Sequence, residues 1–453
     1  MNTTKKIMAV ASAAFATQFA GAVPVVSSVD MNQSSKTVVI TYTLSGEDAV
    51  VTLDVQTNAN TSAAANDPGW TSIGGAAVSN AKGDVWKKVE TGSCRITWRP
   101  DQSWPDHVIA DGGARAVVTA WALDNTPDYM VVDISAGAQP NTQKYYPGVD
   151  FLPGGILGNP DYRTGMLVLR KIMAKDVTWM MGSTTLETQR VAGNEATHQV
   201  TLTNNYYFGV FPVTQAQWDL IQPSRPAPSY FNNVADRAMR PVEQVCYNEI
   251  RNSVDTTGNT AYYWPADPNP LSFLGMLRTK TGIDFDLPSE AQWEFAARAG
   301  NGDTKWGDGS GILNSNDDTN LNLLGRYERN GGKVLSDSSY VNPEQSCGAA
   351  NGTAIVGSYA PNSWGIYDMH GNVWEWCLDW LEDDITSYNG KVNIDPASPA
   401  NTLSGALSGA PVIRGGSWNF VAGICRPAFR NCGVPWGRDM SFGFRVVCTA
   451  GLR

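Results

Sequence analysis

Histidine is nearly missing from this sequence: His107, His198 and His370 are the only three among 453 residues, and they stand far apart. Zinc or iron centres built on clustered imidazoles are therefore not expected. Basic charge is also short, with 33 Lys and Arg against 43 Asp and Glu for a net charge of −10, so no nucleic-acid partner is expected. Beyond the N-terminus no apolar run approaches the ~20 residues that cross a bilayer as a helix, which leaves no transmembrane segment. The seven cysteines show no CxxC spacing, which makes zinc a weak reading. One or two disulfides plus buried thiols is the expectation, and the odd number leaves at least one thiol outside any pairing within the chain.

Glycine is abundant at 44, Trp and Tyr reach 16 each, and charged residues make up 17%, a balance that suits turn-rich β or α+β structure. The length predicts about two to four domains. Residues 1–22 read as an export leader: Lys5 and Lys6 precede an apolar run over 7–19, and Ala20-Gly21-Ala22 has the small-x-small form of a cleavage site. The mature chain is expected to start near Val23 and to be extracellular, periplasmic or at the cell surface.

Over 23–137 the pattern is that of strands. Val38, Ile40, Tyr42 and Leu44 alternate with polar neighbours, as do Val51, Leu53 and Val55, and further strands are expected over 94–98, 116–122 and 129–134. This predicts an all-β, immunoglobulin-like or fibronectin-like sandwich. A Pro-, Gly- and Asn-rich stretch over 138–165 reads as a linker. Beyond it, Thr214 with Gln217 and Ser289 with Gln292 are capping boxes that start helices among short strands, so residues 166–453 read as an α+β domain. Trp293, Ala296, Ala297 and Gly300 line one stripe of the second helix and read as core.

An ordered set of motifs runs through this second region: Met180-Met181-Gly182-Ser183, His198 to Leu202, Phe208-Gly209-Val210, Asn362 to Trp376 containing Gly371-Asn372-Val373-Trp374-Glu375-Trp376, Arg414-Gly415-Gly416-Ser417-Trp418, and Gly443-Phe444-Arg445. The region resembles the formylglycine-generating-enzyme (sulfatase-modifying factor) family, which implies a variant of the C-type lectin fold. The family's oxidase holds copper(I) through two thiolates after Gly-Gly-Ser. The second position falls on Cys425 but the first falls on Phe420, and a phenyl ring cannot ligate copper. Copper is therefore not expected, and an iron site has no histidines to build it. The resemblance also implies a structural calcium at Asp368, Gly371, Val373 and Glu375; the alternative is that Glu375 caps a turn or pairs with an Arg.

In the C-terminal segment 418–445 a framework of Trp418, Asn419, Ala422, Cys425, Arg426, Ala428, Arg430, Pro435, Arg438, Gly443, Phe444 and Arg445 is interleaved with a second set. That set is Phe420, Val421, Gly423, Ile424, Pro427, Phe429, Cys432, Gly433, Val434, Trp436, Gly437, Asp439, Met440, Ser441 and Phe442, and it follows neither helical nor strand periodicity. It is similar to the variable region of diversity-generating-retroelement variable proteins. In those proteins adenine-directed mutagenesis of Asn-type codons yields most of these residues; Trp436 and Met440 need a Lys-type codon instead. Trp, Phe and Met are also the usual anchors of protein interfaces. The framework arginines are expected to hold loop carbonyls and carboxylates.

The resulting expectation is a secreted, non-catalytic recognition protein that presents this diversified surface to a protein ligand. The alternative is a formylglycine-generating-type oxidoreductase acting on a sulfatase cysteine through Cys425, unless Cys377 or Cys448 ties up that thiol in a disulfide. Carbohydrate binding is a third reading, suggested by fold and aromatic content.

Overall fold

A computed structural model describes residues 5–13, 23–232, 235–252, 265–331, 352–381, 392–396 and 410–451. Two compact units divide the chain: Met1–Val131 with Thr142–Pro160 and Ala450–Arg453, and Val132–Asn141 with Asp161–Thr449. The 138–165 stretch is shared between them and carries a strand at Lys144–Tyr146 and single turns of 3-10 helix at Val149–Phe151 and Pro160–Arg163.

The first unit is built of strands, β1 (Lys5–Ala13), β2 (Val25–Ser34), β3 (Thr37–Ser45), β4 (Ala49–Thr57), β5 (Gly92–Trp98) and β6 (Ala114–Trp121). β3 pairs antiparallel with β2 and β5, and β4 pairs antiparallel with β6. The alternation does what it predicts on β3, where Val38, Ile40, Tyr42 and Leu44 are all buried. On β4 the polar partner Thr52 is buried as well, with its hydroxyl accepting a hydrogen bond from Trp121 Nε1 at 2.9 Å. Part of the expected leader is a strand here: β1 pairs antiparallel with β2 over Lys5–Ile7 and parallel with β6 over Met8–Ala13.

The second unit mixes short strands and helices. β7 (Met166–Ile172) pairs with β10 (Tyr206–Gly209), and β10 pairs with β15 (Val447–Thr449); β8 (Val177–Met181) and β9 (His198–Leu202) form a hairpin-like pair. Both expected capping boxes are present, Thr214 on α1 (Gln215–Ile221) and Ser289 on α3 (Glu290–Arg298); α2 (Phe273–Thr281) lies between them. Ala299, rather than glycine alone, takes the left-handed position that ends α3, and Gly300 follows in the same region of backbone space. Trp293, Ala296 and Ala297 enter the core against Ile172, Phe208, Val412 and Val447, while Gly300 is exposed instead of joining that stripe.

Candidate binding surface

The site is organised by one strand. β11 (Trp374–Trp380) is buried along its whole length, pairing antiparallel with β12 (Pro411–Arg414) and parallel with β14 (Phe442–Gly443). β12 pairs in turn with β13 (Arg430–Cys432). Two loops therefore leave this sheet, 415–429 and 433–441, and they hold nearly all of the interleaved set.

Period-two alternation on β11 sorts its side chains. Trp374 packs edge-on against Phe420, with ring centroids 5.5 Å apart, and also meets Phe429 at 6.1 Å. Trp376 meets Phe442 at 5.4 Å. Glu375, between them, points the other way, to Arg445 and Trp293. Above this indole floor Phe420, Val434 and Trp436 are exposed, Trp436 at 55%. Val421, Ile424, Phe429, Cys432, Gly433, Gly437, Asp439, Met440 and Phe442 are partly exposed.

Gly423, Pro427 and Ser441 are buried and do not reach the surface. The Ser441 hydroxyl is taken up by Asp439, and a Cβ at Gly423 would run into the Gln189 side chain. Gly433 is also constrained, because a Cβ there would lie 2.7 Å from the Trp376 ring.

Framework residues lie beneath. Trp418, Ala422, Cys425, Arg426, Ala428, Arg430, Pro435, Gly443, Phe444 and Arg445 are buried, Asn419 is half-buried, and Arg438 is exposed. The arginines bind carboxylates and carbonyls, as expected. Arg445 forks onto both oxygens of Glu375 at 2.6 Å and donates to the Gly209 and Tyr367 carbonyls. Arg430 forks onto Glu290 at 2.7 Å. Arg426 binds Glu187, Glu195 and the carbonyls of Gly423 and Gln189, while Arg414 reaches Glu290 and Glu294. Arg438 pairs with Glu249 at 2.7 Å.

Burial alone would push Glu290 and Glu294 up, but Arg430, Arg414 and Arg298 around them hold both below the ordinary carboxylate range. Glu187 behaves differently: burial and a hydrogen bond with Asp303 outweigh Arg426 and raise it to about 7.

The loops are also pinned through main-chain carbonyls. Phe420 O accepts from Glu328 N at 2.9 Å, Asp439 O from Gln244 N at 2.9 Å, Pro435 O from Asn248 N at 3.0 Å, Met440 O from Trp418 Nε1 at 3.2 Å and Ser441 O from Trp374 N at 2.7 Å.

The oxidase positions do not form a metal centre. Cys425 is fully buried against Trp306, Leu321, Leu324 and Tyr327, and burial pushes its thiol up to about 12. Gly416, at φ 69°, passes so close that a Cβ there would lie 2.6 Å from the Cys425 sulfur, which is one reason for the Gly-Gly pair. His370, pushed down to about 4 by burial, accepts from Gly307 N through Nε2 and bonds the Cys425 carbonyl through Nδ1, so it is a neutral packing pin. Cys377, Cys425 and Cys448 are free thiols, which corrects the expectation of a disulfide among them; Cys347 lies outside the described residues.

The calcium set does not fit a cation. Glu375 has both oxygens engaged by Arg445 and Trp293, and a metal there would face the guanidinium. Asp368 is bound by Gly357 N and Asn372, with burial raising it to about 6. The alternative weighed for Glu375, an arginine pair, is what the fold uses. Among the described residues no three His, Cys, Asp or Glu side chains gather as a metal site.

Sequence reasoning missed Trp374 and Trp376 as the floor of the surface and Glu249 as the partner of Arg438. The Trp-Glu-Trp alternation was the available signal for the first; the second joins residues far apart in the chain and left none.

Comparison with known proteins agrees with this geometry. Residues 170–450, well over half of the chain, match the sulfatase-modifying factor enzyme 1-like domain. The formylglycine-generating enzyme of Thermomonospora curvata is 32% identical over 36% of this chain and 48% of its own length. A serine/threonine-protein kinase, pkn1, of Chlamydia pneumoniae is 30% identical over 36% of this chain and 20% of its own. The chain thus spans half or less of these relatives. Among solved structures, Treponema denticola variable protein 1 aligns with a TM-score of 0.45 and 24% identity, covering 62% of this chain and 95% of that one. The match across residues 170–450, together with the ordered motifs that build β11 and its loops, makes this chain a member of the sulfatase-modifying factor family.

Proposed function

We propose that this chain is an exported, non-catalytic recognition protein whose C-terminal loops offer a diversified surface to a protein partner. The observation that carries the reading is the division of segment 418–445: framework side chains are buried, whereas every member of the interleaved set except Gly423, Pro427 and Ser441 reaches solvent. Exposed Trp436, Phe420 and Val434 on a rigid floor are the kind of apolar anchors that protein interfaces use, and a prebuilt scaffold avoids the cost of ordering the loops on binding.

Formylglycine-type oxidation is the competing reading, drawn from the relatives. Against it stand Phe420 at one thiolate position and the buried, protonated Cys425 at the other. The test is to incubate the purified chain with copper(I), oxygen and a sulfatase-derived cysteine peptide. No conversion of the thiol to an aldehyde is expected, and conversion would overturn the non-catalytic reading.

The diversified origin is tested in the flanking DNA, where a near-copy of the 3′ coding end differing mainly at adenines should lie beside a reverse transcriptase gene. Export rests on the leader over 1–22. Intact mass of the mature chain should begin near Val23, without the residues of β1; retention of Met1 on exported protein would refute cleavage.

A further inference from the structure

The second unit contains a cavity of about 270 Å³ that no residue of segment 418–445 lines. Its walls are Trp179 of β8, Phe295 and Arg298 of α3, and Thr184, Asn301 and Asp303 from the adjoining turns. Trp179 and Phe295 stand with ring centroids 5.3 Å apart, and Trp364 backs Phe295 at 5.2 Å, so one wall is an aromatic surface. The Trp179 indole N–H is buried with no acceptor. Such a donor is uncommon in a folded chain and asks for a partner.

The polar rim is mixed. Asp303 accepts from Thr184 N through one oxygen and from Thr304 N through the other, which leaves acceptor capacity on the carboxylate. Asn301 donates its amide hydrogens to the Arg298 and Gly307 carbonyls, leaving Oδ1 as an acceptor. Thr184 Oγ1 accepts from Leu186 N and keeps its own proton to donate. Arg298 is committed to Glu294 and the Gly182 and Gly302 carbonyls, so it offers little to an anion. An ammonium group would suit the rings and Asp303 but would leave the indole N–H without an acceptor.

Hydroxyl groups donate and accept at once, which matches this set, and the volume lies just under the roughly 300 to 1,000 Å³ of drug-sized sites. From this we infer that the cavity is a subsite for a single neutral sugar ring, stacked on Trp179 and Phe295 and hydrogen-bonded by Trp179 Nε1, Thr184, Asn301 and Asp303. The inference is independent of the protein-binding reading of the C-terminal loops.

Saturation-transfer NMR on the purified full chain, with methyl glucoside, galactoside, mannoside and N-acetylglucosaminide as probes and ethanolamine and acetate alongside, tests it. Transfer to at least one pyranoside is expected. Trp179→Phe, which keeps a ring but removes the N–H, and Asn301→Ala should each weaken that binding roughly fivefold or more, while Trp436→Ser leaves it unchanged. Circular dichroism checks each fold, and if Trp179→Phe unfolds, Asn301→Ala carries the test. No transfer to any pyranoside, transfer to ethanolamine or acetate alone, or full-strength pyranoside binding in the folded variants would overturn the assignment.

Discussion

Within the last forty residues two populations of side chain sit a bond or two apart and obey different physics. The framework arginines are buried and closed in by carboxylates, with Arg426 and Arg445 fully enclosed. The interleaved aromatics lean on an indole floor and face water. The first population is intolerant because a buried charge without its partner has nowhere to go. The second is tolerant because little of its burial depends on one shape.

Breaking the frame should have the largest effect. Glu375→Gln would leave the Arg445 guanidinium enclosed with only half its neutralisation, and a loss of about 3 to 5 kcal/mol is expected in the denaturant midpoint. An effect under about 1 kcal/mol would mean that the pair is dispensable and the contrast overstated.

Next in size is a pH dependence. Burial raises Glu187 to about 7 and Glu243 to about 8, both from an ordinary value near 4.5. In each case the folded chain keeps a proton that the unfolded chain has released. Their stabilising contribution is therefore whole below about pH 4.5 and is lost as pH rises through 7 to 8. Asp303, held near 2, has the opposite sign, its contribution being lost only as pH falls from about 4 through 2. Unfolding followed from pH 5 to 8 should show stability falling with pH. Glu243→Gln should flatten the slope by up to about 1.4 kcal/mol per pH unit, and an unchanged slope would assign the effect elsewhere.

A smaller, kinetic effect is expected at Cys425. Its enclosed, protonated thiol should resist a thiol reagent in the folded chain at pH 8 and react on unfolding; prompt labelling in the folded chain would place it at the surface. The smallest effect belongs to the loops. Phe420→Ser and Trp436→Ser should each move stability by no more than about 0.5 to 1 kcal/mol while removing partner binding, and a large loss of stability would move those rings from the surface population into the frame.

Much of the scaffold could be read without coordinates, because the signals are local. The capping boxes at Thr214 and Ser289 and the alternation on β3 each lie within a few residues. The sorting of segment 418–445 was legible for a related reason: small and basic framework residues recur among an aperiodic set. What escaped is long-range. Arg426 meets Glu195 across 231 residues and Arg430 meets Glu290 across 140, and no spacing rule links them. The cavity at Trp179 escaped in the same way, since its walls come from a strand, a helix and two turns. The disulfide expectation failed at Cys377, Cys425 and Cys448 because cysteine count says nothing of where thiols are buried. Lys5–Ala13, apolar enough for a leader, is also apolar enough for a strand, and composition alone does not separate the two.

The carbonyl pins on the two loops carry one more consequence. Every residue type, proline included, has the same carbonyl oxygen, so the bonds from Glu328, Gln244, Asn248, Trp418 and Trp374 do not depend on which side chain occupies positions 420, 439, 435, 440 or 441. Loop shape is written in atoms that mutation cannot change, and loop content in atoms that it can. A sequence could be rewritten at most of the exposed positions and still arrive at the same outline.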